Sequence, residues 1–276
     1  MDDPISIYDL LNFGRLGDVM QFALVEKLRS PATPGGQGEC PMCGGRMIAK
    51  CGPQIMHHWA HVSKQCDPWW ENETEWHRSW KEKFPEDYRE VNHIDKNGEI
   101  HRADIKHPSG LVVEVQHSSM SIKERDSREK FYGKMVWIVD ARSFFKQIHI
   151  CHPLPSPDSD LVKDVRFFPA SPGMLGANGG LFYRVSEQVK DSIMVRVRPF
   201  HEIEDEVRST YVGHRQYYWI RPREVWLTSS VPVFLDNGER WLYRLMNYGP
   251  QGLPCIRYYP KKLFLNALLD GLIPPD

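Results

Sequence analysis

Four of the six cysteines of this 276-residue chain lie within one short segment, and no other feature of the sequence constrains the fold as strongly. The segment carries seven candidate metal ligands: Cys40, Cys43, Cys51, His57, His58, His61 and Cys66. The N-terminal residues lack a basic stretch leading into an apolar one, so we expect a cytoplasmic location, where thiols stay reduced. In that compartment, a Cys-x2-Cys pair followed by His-x2-His is typical of a zinc site.

Zinc has four tetrahedral positions, for which these seven side chains compete. We expect Cys40, Cys43, His58 and His61 to bind the ion, with Cys66 as the substitute for one histidine. Four protein ligands leave no open position, so the predicted zinc is structural and stabilises a segment too short to bury its own core. The alternative is a set of reduced structural cysteines without metal.

Composition excludes several classes of protein. The 35 basic and 36 acidic residues nearly cancel, which excludes a polybasic polyanion binder but allows a local basic groove. Apolar residues at 41 % and aromatic residues at 12 % argue against disorder. No apolar run approaches the roughly 20 residues that span a bilayer, so we expect no membrane partner.

Residues 71–84 predict an amphipathic helix. Its buried stripe consists of three aromatic residues spaced by four: Trp76, Trp80 and Phe84. Three ionisable residues with the same spacing lie on or beside that stripe: Glu73, His77 and Lys81. We therefore expect these three groups to face inward; the alternative is a row of ion pairs on a solvated face.

A strand-rich segment follows this helix. Residues 88–94 and 99–106 predict a hairpin around an Asn-Gly turn, and 111–117 predict a third strand. A capping box at 121–124 starts a helix that runs to about residue 132, and 135–139 predict a buried strand. The predicted order is α-β-β-β-α-β.

Two acids on neighbouring predicted strands, Asp104 and Glu114, can lie side by side at one sheet edge. Adjacent carboxylates repel each other unless a cation lies between them. Ligands that are all oxygen suit Mg²⁺ or Mn²⁺, which activates water and neutralises a leaving oxygen in phosphodiester hydrolysis. Gln116 lies on the same strand face as Glu114.

These residues belong to a series of five motifs: Cys40-x2-Cys43, His58-Trp59-Ala60-His61, Glu73-x3-His77-x3-Lys81, Arg102-Ala103-Asp104 and Glu114-Val115-Gln116-His117-Ser118. Together they resemble the competence protein CoiA-like family, within the PD-(D/E)XK nuclease superfamily. The resemblance covers roughly residues 5–150. It implies a restriction-endonuclease-like core, a nuclease role in DNA uptake, processing or anti-phage defence, and Glu73 as the acid of the helix.

One residue departs from the wider superfamily, in which the last motif position is most often lysine. Here it is Gln116, whose amide can orient water but supplies no positive charge. We expect Lys81 to restore that charge, with Lys106 as the second candidate. Three roles stay open for His77: metal ligand, proton donor, or hydrogen-bond partner of Glu73.

The C-terminal part begins after a proline-rich stretch near residue 152. Five alternating segments predict an antiparallel β domain: 194–198, 216–220, 224–228, 231–235 and 240–245. Of the 15 basic residues from Cys151 onward, 11 are arginines, interspersed with Tyr and Trp. Arginine with aromatic residues suits both nucleic-acid binding and ordinary strand faces or protein interfaces.

The sequence thus predicts an α/β (α+β) protein with an N-terminal zinc-binding module (1–68), a nuclease core (69–151) and a mostly β accessory domain (152–276). The candidate catalytic residues are Glu73, His77, Lys81, Asp104, Glu114 and Gln116, with Asp104 and Glu114 as ligands of Mg²⁺ or Mn²⁺. The leading hypothesis is a metal-dependent deoxyribonuclease.

Two other hypotheses stay open. The first is a catalytically inactive nucleic-acid-binding or assembly protein on the same fold, and the second is a zinc-ribbon protein whose acids are surface charges. The sequence does not choose between a monomer, a homodimer and a complex with a partner protein bound through the C-terminal domain.

Overall fold

Short strands joined by turns make up most of this chain, which has a mixed α+β architecture. The computed structural model describes residues 19–62, 66–69, 73–172, 179–189 and 193–275. The chain forms two compact units, Met1–Pro108 and Ser109–Asp276. The boundaries predicted near residues 68 and 152 therefore fall inside the units.

Six strands open the described part of the first unit: β1 (Val19–Met20), β2 (Phe22–Val25), β3 (Leu28–Pro31), β4 (Gln37–Glu39), β5 (Arg46–Gly52) and β6 (Ile55–His61). They form an antiparallel sheet in the order β1-β6-β5-β4-β2-β3. Its core packs around Trp59, which is fully buried and donates a 2.9 Å hydrogen bond from its indole nitrogen to the carbonyl of Ser30. This sheet carries the cysteine- and histidine-rich segment.

The rest of the first unit contains helix α1 (Glu75–Lys81) and strands β7 (Arg89–Ile94) and β8 (Ile100–Lys106). The helix is shorter than the predicted range because it begins only after Thr74, whose hydroxyl accepts the amide hydrogen of His77 at 3.2 Å. The aromatic stripe is confirmed, since Trp76, Trp80 and Phe84 are all buried. Phe84 lies beyond the end of the helix.

Strands β7 and β8 form the predicted antiparallel hairpin. The carboxylate of Asp95 organises its turn by accepting hydrogen bonds from the backbone amides of Asn97 and Glu99, at 2.8 and 2.9 Å. Gly98 adopts a φ of +83°, which a glycine adopts without steric cost. The hairpin places the side chain of Asp104 on β8.

The second unit contains β9 (Val112–Gln116), α2 (Ile122–Tyr132), β10 (Met135–Asp140), β11 (Ile148–Pro153), α3 (Leu161–Asp164), β12 (Val165–Phe167), β13 (Leu181–Arg184), β14 (Arg198–Pro199), α4 (Glu204–Ser209), β15 (His214–Trp219), α5 (Glu224–Leu227), β16 (Val233–Asp236), β17 (Trp241–Tyr248), β18 (Leu253–Pro260) and α6 (Lys261–Leu269). Along the chain, the order from α1 through β7, β8, β9 and α2 to β10 matches the predicted α-β-β-β-α-β. Residues 224–227 form a helix, so the strand predicted there is wrong.

Seven strands of this unit lie in one sheet, in the order β11-β15-β18-β17-β16-β10-β9. Strand β10 pairs in parallel with β9 on one side and with β16 on the other, while the strands from β16 to β11 pair antiparallel. The C-terminal strands therefore extend the sheet of β9 and β10 and do not form a sheet of their own. Strands β12, β13 and β14 form a separate small antiparallel sheet.

None of the helices in the described ranges combines the length and the apolar character that crossing a bilayer requires.

Candidate functional site

The first candidate site is a cluster of three thiols and one imidazole: Cys40, Cys43, His61 and Cys66. Their ligand atoms all lie within 4.8 Å of one another. The Sγ atoms of Cys40 and Cys66 are 3.7 Å apart, and Sγ of Cys43 lies 3.4 Å from Nε2 of His61. Three thiolates and one imidazole form a tetrahedral donor set that suits Zn²⁺.

A tight turn between β4 and β5 presents the first two thiols. The amide of Gly44 donates to the carbonyl of Cys40 at 2.9 Å, and Gly44 itself adopts a φ of +70°. The amide of Met42 approaches Sγ of Cys40 at 3.4 Å, and the amide of Gly45 approaches Sγ of Cys43 at 3.3 Å. Amide donors aimed at sulfur stabilise thiolates, which are the form that binds metal.

The pKa values of the Cys40 and Cys66 thiols are shifted in opposite directions. The hydrogen bond from Cys66 lowers the pKa of Cys40 to about 4. The same hydrogen bond and burial raise the pKa of Cys66. A bound dication would favour loss of the protons from both thiols.

His58 was expected among the zinc ligands, but it is not part of the cluster, and Cys66 takes its place. The reason is local, because His58 and His61 lie three residues apart on strand β6, and strand side chains alternate between faces. His58 therefore points away from His61, with its Nδ1 2.8 Å from the carbonyl oxygen of Met56. The spacing His-x2-His would converge on one ion from a helix but does not do so from a strand.

The second candidate site, also in the first unit, joins helix α1 to strand β8. Nε2 of His77 lies 2.9 Å from Oδ1 of Asp104. The His77 side chain is 5 % exposed, whereas that of Asp104 is 21 % exposed. A buried imidazole thus lies against a carboxylate that solvent reaches, and the three roles considered for His77 did not include this contact with Asp104.

Buried charged side chains in and around helix α1 form a network of ion pairs. Nζ of Lys81 is 2.5 Å from Oε1 of Glu73 and 2.7 Å from Oε1 of Glu90. Nε of Arg78 donates a 2.9 Å hydrogen bond to the second carboxylate oxygen of Glu73. The prediction that Glu73, His77 and Lys81 face inward is confirmed, since each of these side chains is at most 5 % exposed.

Charge pairing outweighs burial in this network. Burial alone would raise the pKa of Glu73, but the charges of Lys81 and Arg78 hold it below its usual range. Burial alone would lower the pKa of Lys81, but the charges of Glu90, Glu73 and Asp104 raise it. Both shifts favour the charged forms of Glu73 and Lys81, and the ammonium of Lys81 contacts two carboxylates.

Sequence reasoning missed Glu90. Its side chain is 3 % exposed and accepts a 2.8 Å hydrogen bond from the backbone amide of Gln21 in addition to its ion pair with Lys81. Its φ of +47° is rare for a residue with a side chain and places strain inside the network. That backbone conformation breaks the alternation of β7, so the strand pattern could not reveal it. The one signal for Glu90 in the sequence was Lys81, because a buried lysine needs acidic partners.

In the second unit, the predicted residues Glu114 and Gln116 lie on β9, where every residue is buried. Oε2 of Glu114 lies 3.3 Å from Nη1 of Arg128 on helix α2, and Arg128 also contacts Glu124 at 2.6 Å. The amide nitrogen of Gln116 donates to the hydroxyl and the carbonyl of Ser118, at 3.1 and 3.2 Å. Sequence reasoning considered only lysines as the cation near these residues and missed Arg128.

Comparison of the chain with protein-family models, with curated proteins and with solved structures gives no match.

Proposed function

We propose that this protein is a metal-dependent nuclease that hydrolyses phosphodiester bonds in DNA. The observation that carries the proposal is the His77–Asp104 pair, in which a buried imidazole lies 2.9 Å from a carboxylate that is 21 % exposed. In the first unit, Asp104 combines such exposure with contact to a buried histidine and with the field of a buried lysine. This is an arrangement in which a carboxylate is fixed in orientation yet accessible to a hydrated cation and to a phosphate.

The donor set fits a hard divalent cation, because a carboxylate oxygen is what Mg²⁺ and Mn²⁺ prefer. We assign Asp104 as a residue that would hold the cation. When bound, Mg²⁺ or Mn²⁺ would supply Lewis-acid activation of water and neutralisation of the phosphate.

The side chains of the chain itself would orient the carboxylate and the water and would supply a proton. His77 holds Asp104 in one orientation and, when protonated, is a proton donor beside it. Lys81 is a positioning residue, because its ammonium is bound to Glu73 and Glu90 and its side chain is only 4 % exposed. Gln116 would orient water through its amide oxygen, since its amide nitrogen is bound to Ser118.

Two further observations support the proposal. The chain order α-β-β-β-α-β agrees with the element order of the superfamily that the motifs resemble. A Cys3His cluster that includes residues of two of the five motifs, Cys40, Cys43 and His61, precedes that segment. The biological setting we propose is DNA uptake, DNA processing or anti-phage defence, with zinc as the structural ion.

The test is cleavage of linear duplex, single-stranded and circular DNA by the purified, zinc-loaded chain with Mg²⁺ or Mn²⁺. We expect cleavage with either ion, loss of cleavage in Asp104→Asn, and retention in Glu75→Gln, which changes an exposed acid of helix α1. Omission of Mg²⁺ and Mn²⁺ should abolish cleavage while zinc stays bound. Cleavage that persists in Asp104→Asn would refute the proposal.

A second candidate function is DNA binding without cleavage. It is favoured by Glu114, whose carboxylate is paired with Arg128, and by the glutamine at the position where the superfamily most often has lysine. A folded, zinc-loaded chain that binds DNA but cleaves none of the three substrates would establish this candidate over the nuclease.

A further inference from the structure

We propose that one face of the C-terminal strands is a binding surface for single-stranded DNA. The surface, called here the aromatic face, comprises Trp241 and Tyr243 on β17, Tyr258 on β18, and Arg240 and Arg215 beside them. Tyr243 is paired directly opposite Tyr258, and Arg215 opposite Ile256. Directly opposed residues and residues two apart on a strand share a face of the sheet, so all three rings and Arg215 lie on one side.

The rings of this face form a continuous series. The ring centroids of Tyr243 and Tyr258 are 5.0 Å apart, and those of Trp241 and Tyr258 are 6.2 Å apart. The guanidinium of Arg240 lies 5.4 Å from the ring centroid of Trp241. Tyr243 is buried and packs against Phe145, with ring centroids 4.5 Å apart, whereas Trp241 and Tyr258 are only half-buried and are the rings open to a base. Half-buried aromatic rings next to arginine are the elements on which successive bases of a single strand stack.

The charges of the two arginines are not compensated by acids. Arg240 is exposed and forms no ion pair with any residue that the structure describes. Arg215 donates from Nε and Nη2 to the carbonyl oxygen of Cys151, at 3.0 and 2.6 Å, and this partner is neutral. The carboxylate of Glu239 lies 3.5 Å from the hydroxyl of Tyr243. Two uncompensated guanidinium groups among flat rings match a polyanion that carries flat bases.

The same side of the sheet continues into a cavity of about 140 Å³. Its lining includes Tyr217, Leu245, Asn247 and Pro254 from the strands and Trp226 from α5. Leu245 and Asn247 alternate with Tyr243 along β17, so the cavity adjoins the aromatic face. A cavity of about 150 Å³ holds one benzene ring in another protein, so this one has room for a single pyrimidine ring. Asn247 supplies an amide that can donate to and accept from a base edge.

The opposite side of these strands packs against helix α6. There Phe264 of helix α6 packs against Phe234 of β16 with ring centroids 4.5 Å apart, and the helix covers that side. The aromatic face is therefore distinct from the face of the sheet that helix α6 covers. The choice of DNA over RNA as the ligand of this face rests on the proposed function.

The test is fluorescence anisotropy with labelled dT20 and the full zinc-loaded chain, in the Asp104→Asn background and without Mg²⁺ or Mn²⁺. We expect Trp241→Leu to weaken binding of dT20 roughly 5- to 150-fold, which is the effect of losing one base-stacking contact. We expect Arg240→Gln to reduce the salt slope of the affinity by about 0.7, the contribution of one phosphate contact on a single strand.

Matched controls are Arg208→Gln, which changes an exposed, ion-paired arginine on α4, and Tyr183→Leu on β13. The parent is the Asp104→Asn chain, and both control variants should bind dT20 with its affinity. Thermal unfolding should confirm that every variant is folded. A labelled duplex should be bound equally by Trp241→Leu and the parent, because paired bases are not available for stacking.

Three results would overturn the inference: no binding of dT20 by the parent, binding within twofold of the parent in both Trp241→Leu and Arg240→Gln, or an equal loss for duplex and dT20. Tighter binding of U20 than of dT20 would overturn the assignment to DNA. Absence of DNA cleavage by the wild-type chain with Mg²⁺ and with Mn²⁺, with dT20 binding intact, would refute the proposed nuclease and leave the aromatic face standing.

Discussion

Replacement of Lys81 by methionine tests whether the buried ion network of the first unit stabilises the fold. The ammonium of Lys81 lies 2.5 Å from Glu73 and 2.7 Å from Glu90, and the side chains of both acids are 3 % exposed. Methionine preserves most of the volume but leaves two buried carboxylates with one cation fewer. Removing one partner of a buried pair costs about 3–5 kcal/mol of the free energy of unfolding.

We expect Lys81→Met to lower the free energy of unfolding by about 3 kcal/mol, the lower end of this range, because each acid keeps another partner. Glu73 keeps Arg78, and Glu90 keeps the backbone amide of Gln21. Adding Glu90→Gln to Lys81→Met removes one of the stranded charges. The double variant should therefore be more stable than the sum of the single losses predicts, by about 0.5–3 kcal/mol.

The assay is urea unfolding of the zinc-loaded chain, followed by tryptophan fluorescence. Lys83→Met is the matched control, because Lys83 is exposed two residues further along and should change the free energy of unfolding by less than about 0.5 kcal/mol. A loss below about 1 kcal/mol in Lys81→Met would refute the reasoning, since it would mean that the two buried carboxylates do not depend on the ammonium of Lys81.

Two further predictions follow from other contacts of the first unit. The purified chain should bind one zinc by elemental analysis, and Cys66→Ser should lose it whereas His58→Ala should keep it; the reverse result would restore the ligand set expected from sequence. His101 stacks on Trp69 with centroids 3.3 Å apart and lies 2.9 Å from Asp67 and from Glu99. Burial lowers the pKa of His101, but hydrogen bonds to these two acids outweigh it and raise the pKa. The destabilisation caused by His101→Gln should therefore be largest below about pH 6.5 and should shrink as the pH rises through the folded pKa. Urea unfolding at a series of pH values checks this, and a destabilisation that grows with pH would contradict it.

Local signals in the sequence predicted the elements that depend on neighbouring residues. Ser121 caps helix α2 by accepting the amide hydrogen of Glu124 at 3.1 Å, and Gly133 ends that helix with a φ of +67°. The Asn-Gly turn fixes the β7–β8 hairpin in the same way. These features could be predicted because each depends on the backbone requirements of a few adjacent residues.

Features that depend on distant pairing could not be predicted. The parallel pairing of β16 with β10 aligns Trp137 with Val233, almost 100 residues apart in the chain, and nothing local specifies it. Glu90 was missed for a similar reason, because its partners Lys81 and Gln21 lie on other elements. For the candidate metal site, the ligand types were predicted, but the choice between His58 and Cys66 required knowledge that β6 is a strand.

The central claim is that His77 and Asp104 act together in DNA cleavage, and a double-mutant cycle tests it most directly. Single-turnover cleavage rates of the substrate that the chain cuts fastest would be measured for the wild type, His77→Ala, Asp104→Asn and the double variant. Residues that act as one unit show strongly non-additive losses, so the double variant should be no slower than Asp104→Asn alone. Wild-type rates in both single variants, or losses that multiply in the double variant, would contradict the account.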